Sequence, residues 1–345
     1  MTDHILILAI AFSLSYTLTA LLKKHADKLR LLDRPNARSS HTQVTPRGGG
    51  LAIVAAWVVS LFFMSSSKSL ADIGGLIFWL AGLPVAVVGL LDDRGHVPAP
   101  VRFAVHLLIA AWVVVMLPAT IPVELWWSQA GLPSLNEGVS RILMVLGLAW
   151  LINLFNFMDG IDGIVGIEVC SVLGGAVGYF WFLNGESVSV LSQLVLIFWA
   201  ATLGFLFWNF PKAKIFMGDV GSGFTGLIIG GIILASLIQG LVSIWFWVTL
   251  LGVFWVDASY TLLRRAMKRK YFWQAHRSHA YQILARRWQS HAKVSALVGG
   301  INIGWLLPLA VMAELWRSWG ALFSLVALLP IFFAQVFLGA GEKEE

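Results

Sequence analysis

Four short polar clusters interrupt a chain that is otherwise strongly apolar. They are Asp92-Asp93, Asn153-x-x-Asn156-x-x-Asp159-Gly-x-Asp162-Gly, Phe216-Met-Gly-Asp219-x-Gly-Ser222 and His276-Arg277-x-His279. Carboxylates and carboxamides are ligands for hard divalent cations, and imidazole and guanidinium groups bind phosphate oxygens. If the fold brings the four clusters together, they form one catalytic site that holds a metal ion and a diphosphate.

The composition indicates that a membrane surrounds these clusters. The chain has 345 residues, of which 58% are hydrophobic and 12% charged, and its mean hydropathy is +0.80. That charged share is about half the share in an ordinary soluble domain. The net charge of +6 comes from basic residues between apolar segments, a pattern of membrane topology that gives no reason to expect a nucleic-acid partner. Cys170 is the only cysteine, which excludes an intramolecular disulfide.

Eleven apolar segments are long enough to be candidate membrane spans. A spanning helix needs about 20 residues to cross about 30 Å of hydrocarbon. The first segment has no clear small-residue cleavage site, so we expect it to be retained as an anchor. Residues 1–345 are therefore predicted to form a single all-α, polytopic integral membrane domain. The segments lie near residues 4–22, 48–64, 73–91, 102–118, 139–157, 163–183, 190–208, 221–239, 241–262, 294–313 and 319–339.

The distribution of lysine and arginine predicts the orientation of these spans. Because successive spans alternate in direction, 21 of the 24 Lys and Arg residues fall on one side, and only Lys68, Arg141 and Arg317 fall on the other. The positive-inside rule makes the first side cytoplasmic, with the N terminus outside and the C terminus inside. All four polar clusters lie on this cytoplasmic side.

The acidic pair ends the third predicted span. Asp92 and Asp93 are adjacent, so their charges repel each other unless a cation, a basic group or a proton relieves them. Arg102 and His106 share one face of the next helix near the same surface. The alternatives are a solvated pair that caps a loop and an arginine that only marks the membrane boundary.

The central motif is the most specific of the four. Asn153, Asn156, Asp159 and Asp162 recur every three residues at the cytoplasmic end of the fifth span. They supply four oxygen-bearing side chains on adjoining helical faces, and the glycine after each aspartate permits a tight bend or close approach to a ligand. A simple helix terminus is the structural alternative.

The third cluster precedes the eighth span. Asp219 follows a glycine at the start of a helix, where free backbone N–H groups favour phosphate and a carboxylate holds a cation. The alternative is an aspartate that serves only as the N-cap. Asn209, Lys212 and Lys214 add polar and cationic groups to the same loop.

The longest polar loop carries the fourth cluster. His276, Arg277 and His279 are suited to gripping a diphosphate, although a solvated basic loop has the same composition. Asp257 and Glu168 are acids within predicted spans, where pairing between helices and catalysis are both open.

Together these motifs resemble the polyprenyl-phosphate N-acetylhexosamine-1-phosphate transferases, from about Ser40 to Gln282, and most closely the bacterial O-antigen-initiating branch. The chain departs from the peptidoglycan translocase of that family at Arg277 and Ser278, which stand between His276 and His279 in place of consecutive histidines. The motifs that carry the resemblance are Thr45-Pro46-Arg47-Gly48-Gly49-Gly50, Asp92-Asp93, Asn156-x-x-Asp159-Gly-x-Asp162-Gly and the loop from Asn209 to Ser222.

The resemblance implies transfer of a sugar 1-phosphate from a UDP-N-acetylhexosamine to undecaprenyl phosphate, with release of UMP. It implies a multi-pass protein of the bacterial inner membrane whose site faces the cytoplasm and begins O-antigen or related cell-surface polysaccharide synthesis. It also implies Mg²⁺, with Mn²⁺ as an alternative. Direct attack by the carrier phosphate is preferred, and a covalent aspartyl-phosphate intermediate stays open.

The resemblance also suggests roles for single residues. Asp219 and Asn156 hold the metal, while Asp159 and Asp162 organise the metal and the nucleotide. Asp92 or Asp93 deprotonates or positions the carrier phosphate, which Arg102 contacts. Phe216 stacks on uracil. The remaining substrate-binding residues are Arg47, Asn153, Asn209, His276, Arg277 and His279.

Two other classes of membrane protein also place acids and histidines in spans. An ion-coupled transporter has its site near the midplane between two repeats, whereas these acids lie at one edge and no repeat is present. A phosphotransferase with a CDP-alcohol donor concentrates its acids on one pair of helices, whereas here they are spread over four loops. The identity of the hexosamine (GlcNAc, GalNAc, FucNAc or QuiNAc) and the formation of a homodimer are left open by the sequence.

Overall fold

The computed structural model describes residues 2–35, 43–66, 73–117, 135–184, 189–268 and 276–342. Within these ranges the chain is almost entirely helical, which confirms the predicted all-α class. A π-helical stretch, Asn302–Leu306, joins α13 to α14, and a 3₁₀ turn, Arg317–Trp319, precedes α15. The helices are α1 (Thr2–His25), α2 (Gly50–Ser66), α3 (Ile73–Leu80), α4 (Leu83–Arg94), α5 (Ala99–Val115), α6 (Glu137–Met158), α7 (Ile164–Asn184), α8 (Val190–Asn209), α9 (Asp219–Ile238), α10 (Ile244–Leu250), α11 (Gly252–Met267), α12 (Ala280–Trp288), α13 (His291–Ile301), α14 (Leu307–Leu315) and α15 (Gly320–Leu338).

Each of the eleven predicted segments coincides with one of these helices or with two in succession. Within the described ranges, seven spans are long and apolar enough to cross a membrane: α1, α6, α7, α8, α9, the run from α13 to α14, and α15. The pair α10 and α11 makes an eighth if it is counted as one span bent by 75°. The chain is thus a polytopic membrane protein, and the number eleven stays a prediction.

Apolar side chains cover much of the outer surface of the helices. Leu108, Val115, Ile142 and Phe337 each expose 60% or more of their area. Exposed apolar area on this scale is unfavourable in water, whereas lipid tails solvate it. The surface therefore fits the predicted lipid partner.

Helix α9 lies at the centre of the bundle because glycines allow its neighbours to approach closely. A Cβ atom on Gly50 of α2 would lie 2.2 Å from Gly221 Cα. A Cβ on Gly89 of α4 would lie 2.3 Å from the Asp219 carbonyl oxygen, and one on Gly226 would lie 2.5 Å from the Leu151 carbonyl of α6. The backbones of α2, α4 and α6 therefore touch α9 directly.

Two short strands fasten the first polar loop to the loop before α9. β1 (Leu32–Asp33) pairs antiparallel with β2 (Thr45–Pro46), with Leu32 opposite Pro46. The Phe216 amide donates to the Pro46 carbonyl at 2.8 Å, and the Gly49 amide donates to the Phe216 carbonyl at 2.9 Å. This pairing brings Arg47 beside the loop that carries Phe216.

The four polar clusters meet at one end of the bundle. The clusters at the end of α4 and at the start of α9 touch each other, and the side chain of Asp162 touches the loop between α8 and α9. The Tyr281 hydroxyl of α12 donates to the Phe157 carbonyl at 2.9 Å. The common face expected from hydropathy is therefore present, and its cytoplasmic location stays a prediction. Five of the charges behind that prediction lie outside the described residues: Arg38, Lys68, Arg269, Lys270 and Lys343.

Candidate active site

A polar cavity of about 950 Å³ opens at this end of the bundle. Its wall comes from the first polar loop, the ends of α4 and α6, the loop between α8 and α9, and the start of α12 and α13. Eight of the fourteen predicted site residues line it: Arg47, Asp93, Asp159, Asp162, Asn209, Phe216, Asp219 and Arg277.

Asp93 is buried and caps helix α9. Its carboxylate accepts hydrogen bonds from the backbone N–H groups of Asp219 and Val220, each at 3.1 Å. Gly218, the N-cap residue, has no side chain to make these bonds. The alternative interpretation, in which Asp219 serves only as the N-cap, is therefore wrong, because the cap comes from Asp93 of α4.

Burial and the neighbouring groups shift the pKa of Asp93 in opposite directions. Burial raises the pKa of the Asp93 carboxyl to about 6, while the amides of Val220 and Asp219 and the nearby Arg47 guanidinium lower it. Arg47 Nε lies 3.8 Å from the carboxylate, and its Nη2 donates to the Asp93 carbonyl oxygen. Asp93 thus holds Arg47 at the cavity wall.

Asp92 points to different partners. Its Oδ1 accepts a hydrogen bond from the Val97 amide at 2.7 Å, and its Oδ2 lies 2.7 Å from Arg102 Nη1. The same Arg102 nitrogen lies 2.5 Å from Asp219 Oδ2. Arg102 therefore bridges two acids, although neither it nor Asp92 is among the cavity-lining residues.

Asp159 follows α6 and lines the cavity. Among the described residues its side chain has no hydrogen bond and no ion pair. Burial, followed by the charges of Asp219 and Asp93, raises the pKa of Asp159 to about 8. Three carboxylates near one another in a polar cavity are relieved by a proton or by a cation.

The chemistry of this acidic cluster fits Mg²⁺. Hard divalent cations take carboxylate and amide oxygens, and Asp159, Asp219 and Asn156 supply them. Asn156 donates through Nδ2 to Ser222 Oγ at 3.2 Å, and its Oδ1 has no hydrogen-bond partner within the described part of the chain. No group of three His, Cys, Asp or Glu side chains among the described residues already has the spacing of a metal site.

Asn153 lies one turn farther into the helix than Asn156. Its Nδ2 donates to the Ala149 carbonyl at 2.7 Å, and its Oδ1 lies 3.3 Å from His106 Nδ1. Asn153 is absent from the cavity wall and connects α6 to α5.

Asp162 is held by partners from two other parts of the chain. Its Oδ2 accepts a hydrogen bond from the Ala213 amide at 3.0 Å, and its Oδ1 lies 3.1 Å from His291 Nδ1. Its carbonyl oxygen accepts from Ser295 Oγ at 2.7 Å. Asp162 therefore ties the central motif to the α8–α9 loop and to α13.

Asn209 makes a second link between the central motif and that loop. Its Oδ1 accepts from the Gly163 amide and its Nδ2 donates to the Ile215 carbonyl, each at 2.9 Å. Gly163 has a φ of +75°, and a Cβ there would lie 2.6 Å from the Phe210 ring, so a larger residue is excluded. These bonds fix the loop that presents Phe216 to the cavity.

Only Arg277 of the predicted histidine motif lines the cavity. His279 is buried, with Nδ1 3.1 Å from Asp257 Oδ1, and its ring stacks on His276 at a centroid distance of 4.9 Å. The Asp257 carboxylate also accepts from the amides of Ala280 and Tyr281, so it caps α12. Asp257 is thus engaged in pairing between helices, one of the two roles that the sequence left open.

The cavity also contains residues that the motifs did not reveal. Arg286 and Gln282 of α12 and His291 of α13 lie in its wall. Ser290 caps α13 by accepting from the Lys293 amide at 3.3 Å, a signal that was readable as the start of a helix. A helix start does not show which distant residue it packs against, so the sequence did not indicate that His291 faces Asp162.

Comparison with known proteins places the chain in a family. Residues 75–237 match the model of glycosyl transferase family 4. A probable undecaprenyl-phosphate N-acetylglucosaminyl 1-phosphate transferase of Bacillus subtilis (strain 168) is 31% identical over 91% of this chain and 87% of that protein. An undecaprenyl-phosphate alpha-N-acetylglucosaminyl 1-phosphate transferase of Thermotoga maritima is 26% identical over 79% of each chain. A decaprenyl-phosphate N-acetylglucosaminephosphotransferase of Mycolicibacterium smegmatis is 32% identical over 63% of this chain and 56% of that protein.

The first of these similarities extends over nearly the whole chain, and the family model covers the segments that supply Asp93, Asp159 and Asp219. The chain belongs to glycosyl transferase family 4, the family of polyprenyl-phosphate N-acetylhexosamine-1-phosphate transferases.

Proposed function

We propose that this protein transfers N-acetylhexosamine 1-phosphate from a UDP-sugar to undecaprenyl phosphate and releases UMP. The observation that carries this proposal is the convergence of Asp93, Asp159 and Asp219 on a polar cavity at the end of a membrane bundle. A diphosphate needs a cation there, and a lipid phosphate has access from the surrounding bilayer. The names of the relatives support the same reaction class and make N-acetylglucosamine the first donor sugar to test.

Asp159, Asp219 and Asn156 are the residues that we expect to hold Mg²⁺, or Mn²⁺ in its place. When bound, the ion neutralises the donor diphosphate and stabilises the charge on the transferring phosphoryl group and on UMP. Asp93 contributes indirectly, because it fixes the first turn of α9 on which Asp219 stands.

The acceptor phosphate approaches this cluster as an anion. Arg102 is the group that we expect to meet it, because its guanidinium already lies between Asp92 and Asp219. An oxygen of the lipid phosphate attacks the β-phosphorus of the donor, and the bond from that phosphorus to the bridging oxygen breaks. UMP leaves with the electron pair, and the product is a lipid diphosphate sugar. Direct transfer needs no covalent enzyme intermediate, and an aspartyl-phosphate route remains the alternative mechanism.

The donor nucleotide lies along the other part of the wall. Phe216 offers an aromatic face for uracil, and Arg47 and Arg277 offer guanidinium groups for the diphosphate. His276 and His279 flank Arg277 in the sequence and are not among the cavity-lining residues. This placement would put the reaction on the cytoplasmic face of the bacterial inner membrane, as the first step of O-antigen or related polysaccharide synthesis.

Release of UMP by the purified protein tests the proposal. The assay supplies undecaprenyl phosphate, Mg²⁺ and a panel of UDP-N-acetylhexosamines, with CDP-alcohols as competing donors. We expect release that requires lipid and metal and falls about 100- to 1000-fold in Asp219→Ala, as is typical when a charge-stabilising group is removed. Gly147→Ala, at a position with no atom within 4 Å, is the matched control and should keep full activity.

The same assay contradicts the proposal if folded wild-type protein releases no UMP from any donor. Turnover with CDP-alcohols alone would move the protein to the other phosphotransferase class. Ion-dependent uptake by vesicles without turnover would favour a transporter.

A further inference from the structure

We infer that His291 is a positioning residue for the nucleotide donor, and that it acts through Asp162. This inference rests on the proposed function, because it concerns how that donor is held. His291 belongs to none of the motifs found in the sequence, yet it lines the cavity at the first position of α13.

The geometry defines which atom of His291 carries a proton. Nδ1 lies 3.1 Å from Asp162 Oδ1 and 3.5 Å from the Asp162 amide nitrogen. One ring nitrogen cannot donate to the carboxylate and accept from the amide at once. The shorter contact is to an acceptor-only oxygen, so Nδ1 bears a hydrogen and donates to Asp162.

Asp162 connects His291 to the loop between α8 and α9. With Oδ1 held by His291, the carboxylate plane is fixed, and Oδ2 is left in position to accept from the Ala213 amide at 3.0 Å. Ala213 lies three residues before Phe216, which we expect to stack on the nucleobase. Ser295, one turn after His291 on α13, holds the Asp162 carbonyl at 2.7 Å. The loop between α8 and α9 is therefore held against α13 through Asp162.

The acids that we assign to the metal do not take part in these contacts of Asp162 with His291 and Ala213. Asp159 has no side-chain partner among the described residues, and the carboxylate of Asp219 pairs with Arg102 of α5. Loss of the His291 hydrogen bond should therefore weaken donor binding while leaving the chemical step and the lipid site largely unchanged. A group that acted in the chemistry would lower kcat instead.

Steady-state kinetics of His291→Leu, His291→Asn and Lys293→Ala test this inference. Leucine keeps the bulk of the side chain but removes the donor, so the KM for the UDP-sugar should rise about tenfold, the size expected for one hydrogen bond to a charged group. Values of kcat and of the KM for undecaprenyl phosphate should stay within about threefold. The Asn amide nitrogen occupies nearly the place of Nδ1 and should restore most of the donor affinity.

Lys293→Ala is the matched control, because Lys293 is exposed on the same helix and does not line the cavity. Affinity for UMP measured by calorimetry should follow the same order as the donor KM, which gives a readout independent of turnover. An unchanged donor KM in His291→Leu, or an equal loss in His291→Asn, would overturn the inference. A wild-type protein that is inactive with every UDP-sugar would instead count against the proposed function, so the two failures are distinguishable.

Discussion

Single side chains around the cavity differ in how many partners hold them. Asp93 and Asp162 accept hydrogen bonds through both carboxylate oxygens, whereas Asp159 has no side-chain partner among the described residues. An acid with fixed partners keeps its position and shapes the site. An acid without partners, near two other carboxylates, is the one that gains most from a cation.

The raised pKa of Asp159 predicts how the stability of the metal-free protein depends on pH. Its pKa is raised from 3.8 to about 8, so the folded protein binds this proton more tightly than the unfolded chain does. The stabilisation is complete below about pH 4 and is lost as the pH rises through 8. Thermal unfolding in detergent and chelator should therefore show wild type losing stability between about pH 4 and about pH 8, while Asp159→Asn loses less.

Excess Mg²⁺ is the control for this prediction. A bound cation relieves the same charge, so it should flatten the wild-type pH profile and leave Asp159→Asn nearly unchanged. Parallel profiles for the two proteins without metal would contradict the environment that we describe for Asp159.

Eight residues predicted from the sequence line the cavity, but the sequence did not reveal their partners. Asp93 and Asp219 were predicted because acids are rare in an apolar chain, and both line the cavity. The bond between them joins residues 126 positions apart, and no local pattern contains it. His291 was not predicted for the same reason, because its role depends on Asp162, which lies 129 positions earlier.

Among the secondary-structure elements, α9 has the tightest surroundings. Gly221 meets Gly50 of α2 at a distance that leaves no space for a methyl group. We expect Gly221→Ala to lower the stability by about 1–3 kcal/mol, because the added carbon meets backbone that cannot rotate away. Gly178→Ala on α7, with no atom within 4 Å, should be neutral or slightly stabilising. Thermal unfolding of the two variants checks this, and equal behaviour would contradict the packing described.

The cap on α9 gives a second prediction for this element. Asp93→Ala leaves the amides of Asp219 and Val220 without an acceptor, at about 1–3 kcal/mol for each buried group. Asp93→Asn keeps one acceptor oxygen and should lose roughly half as much. Unfolding measured with and without Mg²⁺ separates the cap from the metal, because a loss due to capping persists in chelator. Equal stability of the two variants would show that Asp93 does not cap α9.

Hydropathy located the helices and missed their breaks. The segment 241–262 reads as one apolar span, yet α10 and α11 meet at 75°. The segment 294–313 contains the π-helical stretch Asn302–Leu306. Neither break contains a proline, and an average over apolar residues is insensitive to the direction of a helix axis. The bends are set by tertiary packing, which a single sequence does not display.

The molecule as a whole presents its polar clusters at one end and apolar side chains along its sides. Positive charges predict that this end is cytoplasmic. In a Cys170→Ser background, a cysteine at Lys293 should react with a membrane-impermeant maleimide only after cells are opened. A cysteine at Arg317 should react in intact cells. The reverse pattern would invert the orientation and place the cavity on the outer side.

The common end of the clusters was predictable because loops between spans alternate between two sides. The cavity itself was not, since its shape depends on how α12 and α13 fold back over the central motif through Tyr281 and His291. Both helices come after the long basic loop in the sequence, and composition does not predict where they pack.

The central claim is that a phosphoryl group moves together with the sugar, and isotopic labelling tests it most directly. Purified protein would receive undecaprenyl phosphate, Mg²⁺ and UDP-N-acetylglucosamine labelled with ³²P at the β-phosphate and ¹⁴C in the sugar. We predict that both labels enter the lipid product in equal amounts and that one UMP is released for each. Lipid that contains the ¹⁴C label without ³²P, with UDP as the released nucleotide, would show transfer of the sugar alone and would contradict the account.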